Sequence, residues 1–115
     1  MKAWMTYNPN CGTARNVLAL LRARGIEPEI REYLEQPLSR DQIAALVKQM
    51  GVKVADIVRW KEKDAVTAAG ISETSPDGPL LDALVAHPIL LNRPIVVTGK
   101  GAKLCRPSET VSALL

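Results

Sequence analysis

The opening third of the chain constrains the fold most. Ala3-Trp4-Met5-Thr6-Tyr7 reads as a short strand, closed by the break Asn8-Pro9-Asn10. From Cys11 onward, Ala14, Val17, Leu18 and Leu21 fall at i, i+3, i+4 and i+7, the spacing of an amphipathic helix. Arg22 and Arg24 suit the negative end of that helix's dipole, and Gly25 stops it. Glu29 to Leu34 follows as a second strand. Strand–helix–strand in about 35 residues has the size of a βαβ unit.

Ser39 and Gln42 form a capping-box pattern, and Ile43, Leu46, Val47 and Met50 give the next helix its apolar face before Gly51. Val54, Ile57 and Val58 suggest a third helix with Arg59 near its end, and Asp64 to Ala69 a short fourth. Ser72 to Pro79 is polar and reads as a loop. Leu80, Leu81, Leu84 and Val85 mark a helix that ends before Pro88. Ile95–Thr98 and Ala102–Cys105 flank Gly99-Lys100-Gly101 as a hairpin, and Ser108 opens a closing helix with Val111, Leu114 and Leu115. The order is β-α-β, a helical block, then β-β-α. This predicts one α/β domain over residues 1–115 with a thioredoxin-like mixed sheet and a helical insertion over about 38–88. In that fold a proline stands just before the third strand, where this chain has Pro94; it reads either as an ordinary strand-entry proline or, given that fold, as part of a cis Arg93–Pro94 bond facing the site, and the sequence leaves the two open.

Composition narrows the function classes. The 115 residues carry a formal net charge of +3, too small to imply nucleic acid. Two Trp, two Tyr and no Phe leave few platforms for base stacking and make the core aliphatic. The longest apolar run is Val17 to Leu21, far short of a membrane span, and the N-terminus is too short before its first polar break for a signal-peptide core. Two distant cysteines, Cys11 and Cys105, do not make a disulfide scaffold, and with one histidine, His87, and no clustered cysteines a structural zinc site has too few nitrogen and sulfur ligands. A cytoplasmic, metal-free monomer with reduced thiols is the expectation.

Cys11 is the leading candidate for chemistry. A cysteine at a helix N-terminus meets free N–H groups and a positive dipole end, which favour a thiolate and also cradle anions. Gly12 allows close backbone approach and Thr13 adds a hydroxyl, while Asn8 and Arg15 flank the site as supporting residues. A buried, inert thiol is the bland alternative, and the strand–turn–helix placement counts against it. Ala14 stands where a Cys-x-x-Cys protein has its second thiol, so Cys11 needs an external thiol for turnover; Cys105, in an apolar strand, reads as an inert core residue. Arg93 precedes Pro94 at the start of a strand, Arg106 precedes Pro107 at the end of one, and Arg59 closes a short helix. Each alone is commonly a solvated charge. Converging near a thiolate, the three would bind a tetrahedral oxyanion. Composition and spacing reach as far as a thiol-dependent enzyme acting on an oxyanion.

Four segments carry a resemblance: Asn8-Pro9-Asn10-Cys11-Gly12-Thr13-Ala14-Arg15-Asn16, Tyr33-Leu34, His87 through Thr98, and Leu104-Cys105-Arg106-Pro107-Ser108. Together they resemble the glutaredoxin-coupled arsenate reductase (ArsC) family over essentially the whole chain. The resemblance implies a nucleophilic Cys11, arsenate-binding arginines at Arg59, Arg93 and Arg106, glutathione as co-substrate, glutaredoxin as partner and no bound cofactor. Val58-Arg59-Trp60-Lys61 matches over the fewest positions. Tyr7 stands where better-known members have a histidine that helps lower the cysteine pKa, and longer members continue past the last helix. His87 precedes Pro88 and reads as a turn residue. Two other classes share the fold: glutathione-dependent thiol/disulfide reductases, and regulators that bind RNA polymerase. The regulators typically carry Cys-x-x-Cys, and Ala14 counts against them.

Overall fold

β1 (Ala3–Thr6) is the strand around which the sheet is built. In the computed structural model, which describes residues 2–115, it lies between β2 (Glu29–Arg31) and β3 (Ile95–Thr98), with β4 (Gly101–Leu104) beyond β3. β1 runs parallel to β2, with Met5 opposite Ile30, and antiparallel to β3, with Met5 opposite Val96. β3 and β4 form a hairpin in which Thr98 faces Gly101. Flanked on both sides, β1 buries Met5 and Thr6 completely.

The parallel pair needs a crossover, supplied by α1 (Gly12–Ala23). Its buried face is Ala14, Val17, Leu18 and Leu21, the four residues that the spacing picks out. Val17, Leu18 and Leu21 pack with Met5 and Val96 of the sheet, Cys105, and Val111 and Leu114 of the closing segment. Full burial of such side chains stabilises by roughly 1.5–3 kcal/mol each. Gly25 takes the left-handed conformation (φ 75°) that ends the helix, and Arg22 turns back onto Glu27 at 2.8 Å. At the far end of β3 the buried Thr98 hydroxyl donates to the Leu114 carbonyl at 2.8 Å, pinning the C-terminal turns to the sheet.

Two compact units are present: residues up to Gln36 together with Arg93–Leu115, and Pro37–Asn92. The second holds α2 (Arg40–Met50), a 3-10 turn at Val54–Ile57, α3 (Lys63–Ala69), α4 (Asp77–Ala86) and a 3-10 turn at Pro88–Leu90. Ser39 and Gln42 make the full capping box, side chain to backbone in both directions at 3.1 and 2.9 Å. α2, α4 and the two 3-10 turns pack on one another, burying Ile43, Leu46, Ile57, Leu80, Leu84 and Leu90.

The β-α-β … β-β-α order and the mixed sheet are those of the thioredoxin-like arrangement expected from the sequence. Several boundaries differ. The predicted third helix is a single 3-10 turn, and Arg59 lies beyond it, where the chain turns after a Val58–Leu91 bridge: Arg59 N–H donates to the Leu90 carbonyl, Asn92 N–H to that of Ile57 and Trp60 N–H to that of Val58. α4 begins at Asp77, so the expected loop through Pro79 stops at Pro76; proline fits the first helical turn, where its missing N–H has no partner to lose. β2 ends at Arg31 because Glu35 and Gln36 N–H groups bond back to the Glu32 carbonyl and turn the chain. The closing helix is 3-10 rather than α, and Cys105 sits one residue past β4. No helix among the described residues is long and apolar enough to cross a membrane.

Candidate active site

The turn before α1 is organised by its own polar groups. Asn8, almost fully buried, accepts the Cys11 N–H on its carbonyl and the Asn10 N–H on its side-chain oxygen, both at 2.9 Å. Arg15 reaches back from the helix to donate to the Pro9 carbonyl at 2.8 Å. The Asn8 and Arg15 side chains thus each hold the turn itself. Cys11 is the N-cap, and its sulfur makes no capping hydrogen bond of standard geometry. A Cβ built on Gly12 would meet only Arg15 Nη2, at the ordinary contact distance of 3.8 Å. Packing within the protein therefore does not require glycine there. Thr13 is half-buried in the first turn of α1.

Arg93 and Arg106 approach from the ends of β3 and β4. Arg106 Nη1 lies 3.7 Å from Cys11 Sγ and 2.9 Å from the Arg93 carbonyl. One guanidinium nitrogen thus spans the thiol and the chain that carries the second arginine. The Arg93 side chain is buried. The Arg93–Pro94 bond, whose isomer the sequence left open, is cis, and so is Arg106–Pro107. Burial raises the Cys11 pKa, but the Ala14 N–H and then the Arg93 and Arg106 guanidiniums outweigh it, and the thiol ends below its ordinary value. Tyr7, at the position of the family's histidine, packs against the core between sheet and α1 and is no part of that balance.

Cys105 is fully buried, donates to the Lys103 carbonyl at 3.6 Å, and is pushed up to about 11 by burial. Both thiols are free.

Arg59 belongs to the helical unit. Its side chain is 13% exposed, with Nε on Glu62 at 3.2 Å and Nη1 on the Asn92 side-chain oxygen at 3.4 Å. His87 stands between α4 and the following 3-10 turn, its N–H on Ala83 and its carbonyl taking the Leu90 N–H, a turn residue as read. Among the described residues no group of three or more His, Cys, Asp or Glu could hold a metal. Of the sequence candidates, then, Cys11, Arg93 and Arg106 come together in the sheet unit. The sequence reading missed Thr6, whose buried hydroxyl accepts the Ile95 N–H at 2.8 Å; a threonine in a strand pattern gives no hint of this.

The ArsC family model matches residues 6–114. The chain belongs to the ArsC family. It is 47% identical over 110 residues to an Escherichia coli protein named arsenate reductase, covering 95% of this chain and 77% of that one. A Rhizobium meliloti protein of the same name is 43% identical over 115 residues, all of this chain and 82% of the relative. In structure, the arsenate reductase from Vibrio cholerae superposes with a TM-score of 0.92 at 34% identity, covering 100% of this ArsC chain and 98% of that one.

Proposed function

We propose that this ArsC-family chain is an arsenate reductase that uses Cys11 as its nucleophile, with glutathione and glutaredoxin as electron donors. The observation that carries the reading is the Cys11 sulfur 3.7 Å from Arg106, its pKa lowered in spite of burial. A thiol whose thiolate is favoured by two neighbouring guanidiniums suits attack on an oxyanion. The names of the E. coli and V. cholerae relatives support the substrate.

Arsenate would be held by Arg93, Arg106 and the first N–H groups of α1 at Gly12 and Thr13, which carry the positive end of the helix dipole. The Cys11 thiolate attacks arsenic and displaces one oxygen as water, forming a sulfur–arsenic(V) bond. Glutathione thiolate then attacks the Cys11 sulfur of this adduct; the sulfur–arsenic bond breaks with its electron pair left on arsenic, which departs as arsenite, and the Cys11–glutathione disulfide remains. Glutaredoxin then attacks the mixed disulfide and frees Cys11. Ala14 and the fully buried Cys105 give the chain no nearby resolving thiol, in keeping with an external one. Arg59 is assigned to charge developing in the transition state, so Arg59→Ala should lower turnover more than binding.

The test is arsenate-dependent NADPH oxidation by the purified chain with glutathione, glutaredoxin and glutathione reductase. Sustained turnover is expected there, and poor turnover with thioredoxin and its reductase. After arsenate and glutathione without glutaredoxin, mass spectrometry should find glutathione on Cys11 alone. Arsenate-independent reduction of glutathione mixed disulfides would transfer the chain to the disulfide enzymes. A Cys11–Cys105 disulfide as the main product would replace the external-thiol cycle.

A further inference from the structure

Arg93 acts on Cys11 only if the two segments that carry them keep a fixed spacing, and the bonds around residues 93–95 show what holds it. The Arg93 carbonyl takes a hydrogen bond from Arg106 Nη1 at 2.9 Å, and the Pro94 carbonyl takes one from the Cys105 N–H at 2.8 Å. Both tethers come from the β4 side. Pro94 has no N–H to give. The first donor after Arg93 is therefore Ile95, and its N–H goes to the Thr6 hydroxyl at 2.8 Å, with Thr6 fully buried.

Thr6 is the last residue of β1, the strand that leads into the cysteine. The antiparallel register pairs Met5 with Val96, and one step further Thr6 meets Ile95. There a side-chain acceptor takes the N–H. Two residues after Thr6, the Asn8 carbonyl holds the Cys11 N–H at 2.9 Å. A short run of bonds thus joins the cysteine turn, through Thr6, to the start of β3 and Arg93. We propose that Thr6 is a positioning residue for the Cys11 site, its hydroxyl fixing the Arg93 segment against the cysteine turn. The proposal rests on the reading of Cys11 as the nucleophile favoured by Arg93. The same buried guanidinium is among the groups that hold the Cys11 pKa down, so a loosened Arg93 should be visible in the thiol's titration.

The test is the pH dependence of iodoacetamide alkylation of Cys11 in the 115-residue chain, read by mass spectrometry of the Cys11 peptide. Thr6→Val keeps the shape and removes the acceptor. It should raise the apparent Cys11 pKa by roughly one unit, about tenfold less thiolate at a pH below both values. Thr6→Ser, which keeps the hydroxyl, should titrate close to the parent. Thr98→Val removes another buried hydroxyl at the opposite end of β3, and should lower the melting temperature without moving the Cys11 titration. In an Arg93→Ala background, Thr6→Val should add no further shift.

An unchanged Cys11 titration in Thr6→Val overturns the proposal. So does an equal shift in Thr98→Val, which would mark a general loosening of the sheet, or a shift in Thr6→Ser as large as that in Thr6→Val. If Thr6→Val does not fold, Thr6→Ala takes its place with the same expectations, and the Thr6→Ser comparison stands in either case. Alkylation needs no arsenate, so a chain that failed to reduce arsenate would leave this result readable.

Discussion

Cys11 and Cys105 are both shielded from solvent within the sheet unit, one capping α1 and the other one residue past β4. Burial raises the pKa of each. For Cys105 little opposes it, and the thiol rises to about 11, with Lys103 pulling weakly the other way. For Cys11 the Ala14 N–H, Arg93 and Arg106 reverse the sign. Desolvation is indifferent to direction, whereas donors act only when aimed at the sulfur. The difference between a core thiol and the thiol proposed as nucleophile therefore lies in three aimed groups. A strand end, a helix end and two arginine–proline corners bring them to one point.

The largest break in the comparison comes from swapping sulfur for oxygen. Cys11→Ser should abolish arsenate reduction, because a hydroxyl at neutral pH is a far poorer nucleophile than a thiolate. Cys105→Ser should retain most activity, with some loss of stability for a hydroxyl placed in the core. Steady-state rates of the coupled assay measure both. Equal losses would mean that Cys105 takes part in turnover.

Removing the aimed groups one at a time is the next step down. Arg93→Ala and Arg106→Ala each delete charge-assisted donors, worth roughly 1.5–3 kcal/mol apiece, which is about 10- to 150-fold in arsenate affinity. Sulfate, a tetrahedral oxyanion of similar shape, should compete in the parent and lose its effect in both variants. Arsenate saturation curves unchanged in both would remove the arginines from the site. Each variant should also bring the Cys11 titration closer to that of an ordinary thiol.

Much of this was legible in the sequence, for reasons particular to each part. The buried face of α1 could be read to the residue, and its ends to within one or two, because its apolar spacing, Arg22 and Gly25 agree with one another. Ser39 and Gln42 announced α2 in the same way. Cys11 was legible because a polar turn between strand and helix has few other uses for a cysteine, and Arg93 and Arg106 because each precedes a proline at a strand end. Arg59 was assigned to a helix on three apolar residues, Val54, Ile57 and Val58, too short a run to separate an α-helix from the 3-10 turn and β-bridge that the backbone adopts. The Thr6–Ile95 bond spans 89 residues of sequence and follows from sheet register alone, which local patterns do not encode.

The position of Tyr7 sharpens the comparison at intermediate size. With the lowering traced to Ala14, Arg93 and Arg106, Cys11 alkylation should titrate below an unperturbed thiol although no histidine precedes Asn8. Tyr7→Phe, which keeps the ring that packs on the core, should leave that titration in place. An apparent pKa at or above the free-thiol value in the parent would mean that the two arginines and the helix end do not suffice.

The smallest effect is on stability, and it has opposite signs at the two thiols. The folded-state pKa of Cys11 lies below its unfolded value, so the unfolded chain binds more protons in the window between them. Its contribution to stability is complete above the unfolded pKa, near 9, and is lost as pH falls through the folded one. For Cys105 the order reverses: the folded thiol keeps its proton up to about 11 while the unfolded one loses it near 9. Stability therefore falls as pH rises above the unfolded value, by about 1.4 kcal/mol for the first unit beyond it. Urea unfolding of the parent, Cys11→Ser and Cys105→Ser between pH 7 and pH 10 isolates each thiol, since all other titrating groups cancel in the differences. From pH 8 to pH 10 the parent should lose ground to Cys105→Ser. Between the folded Cys11 pKa and pH 9 it should gain on Cys11→Ser. Differences of the same sign in both pairs would mean that burial alone governs both thiols, and the directed contacts at Cys11 would lose their role.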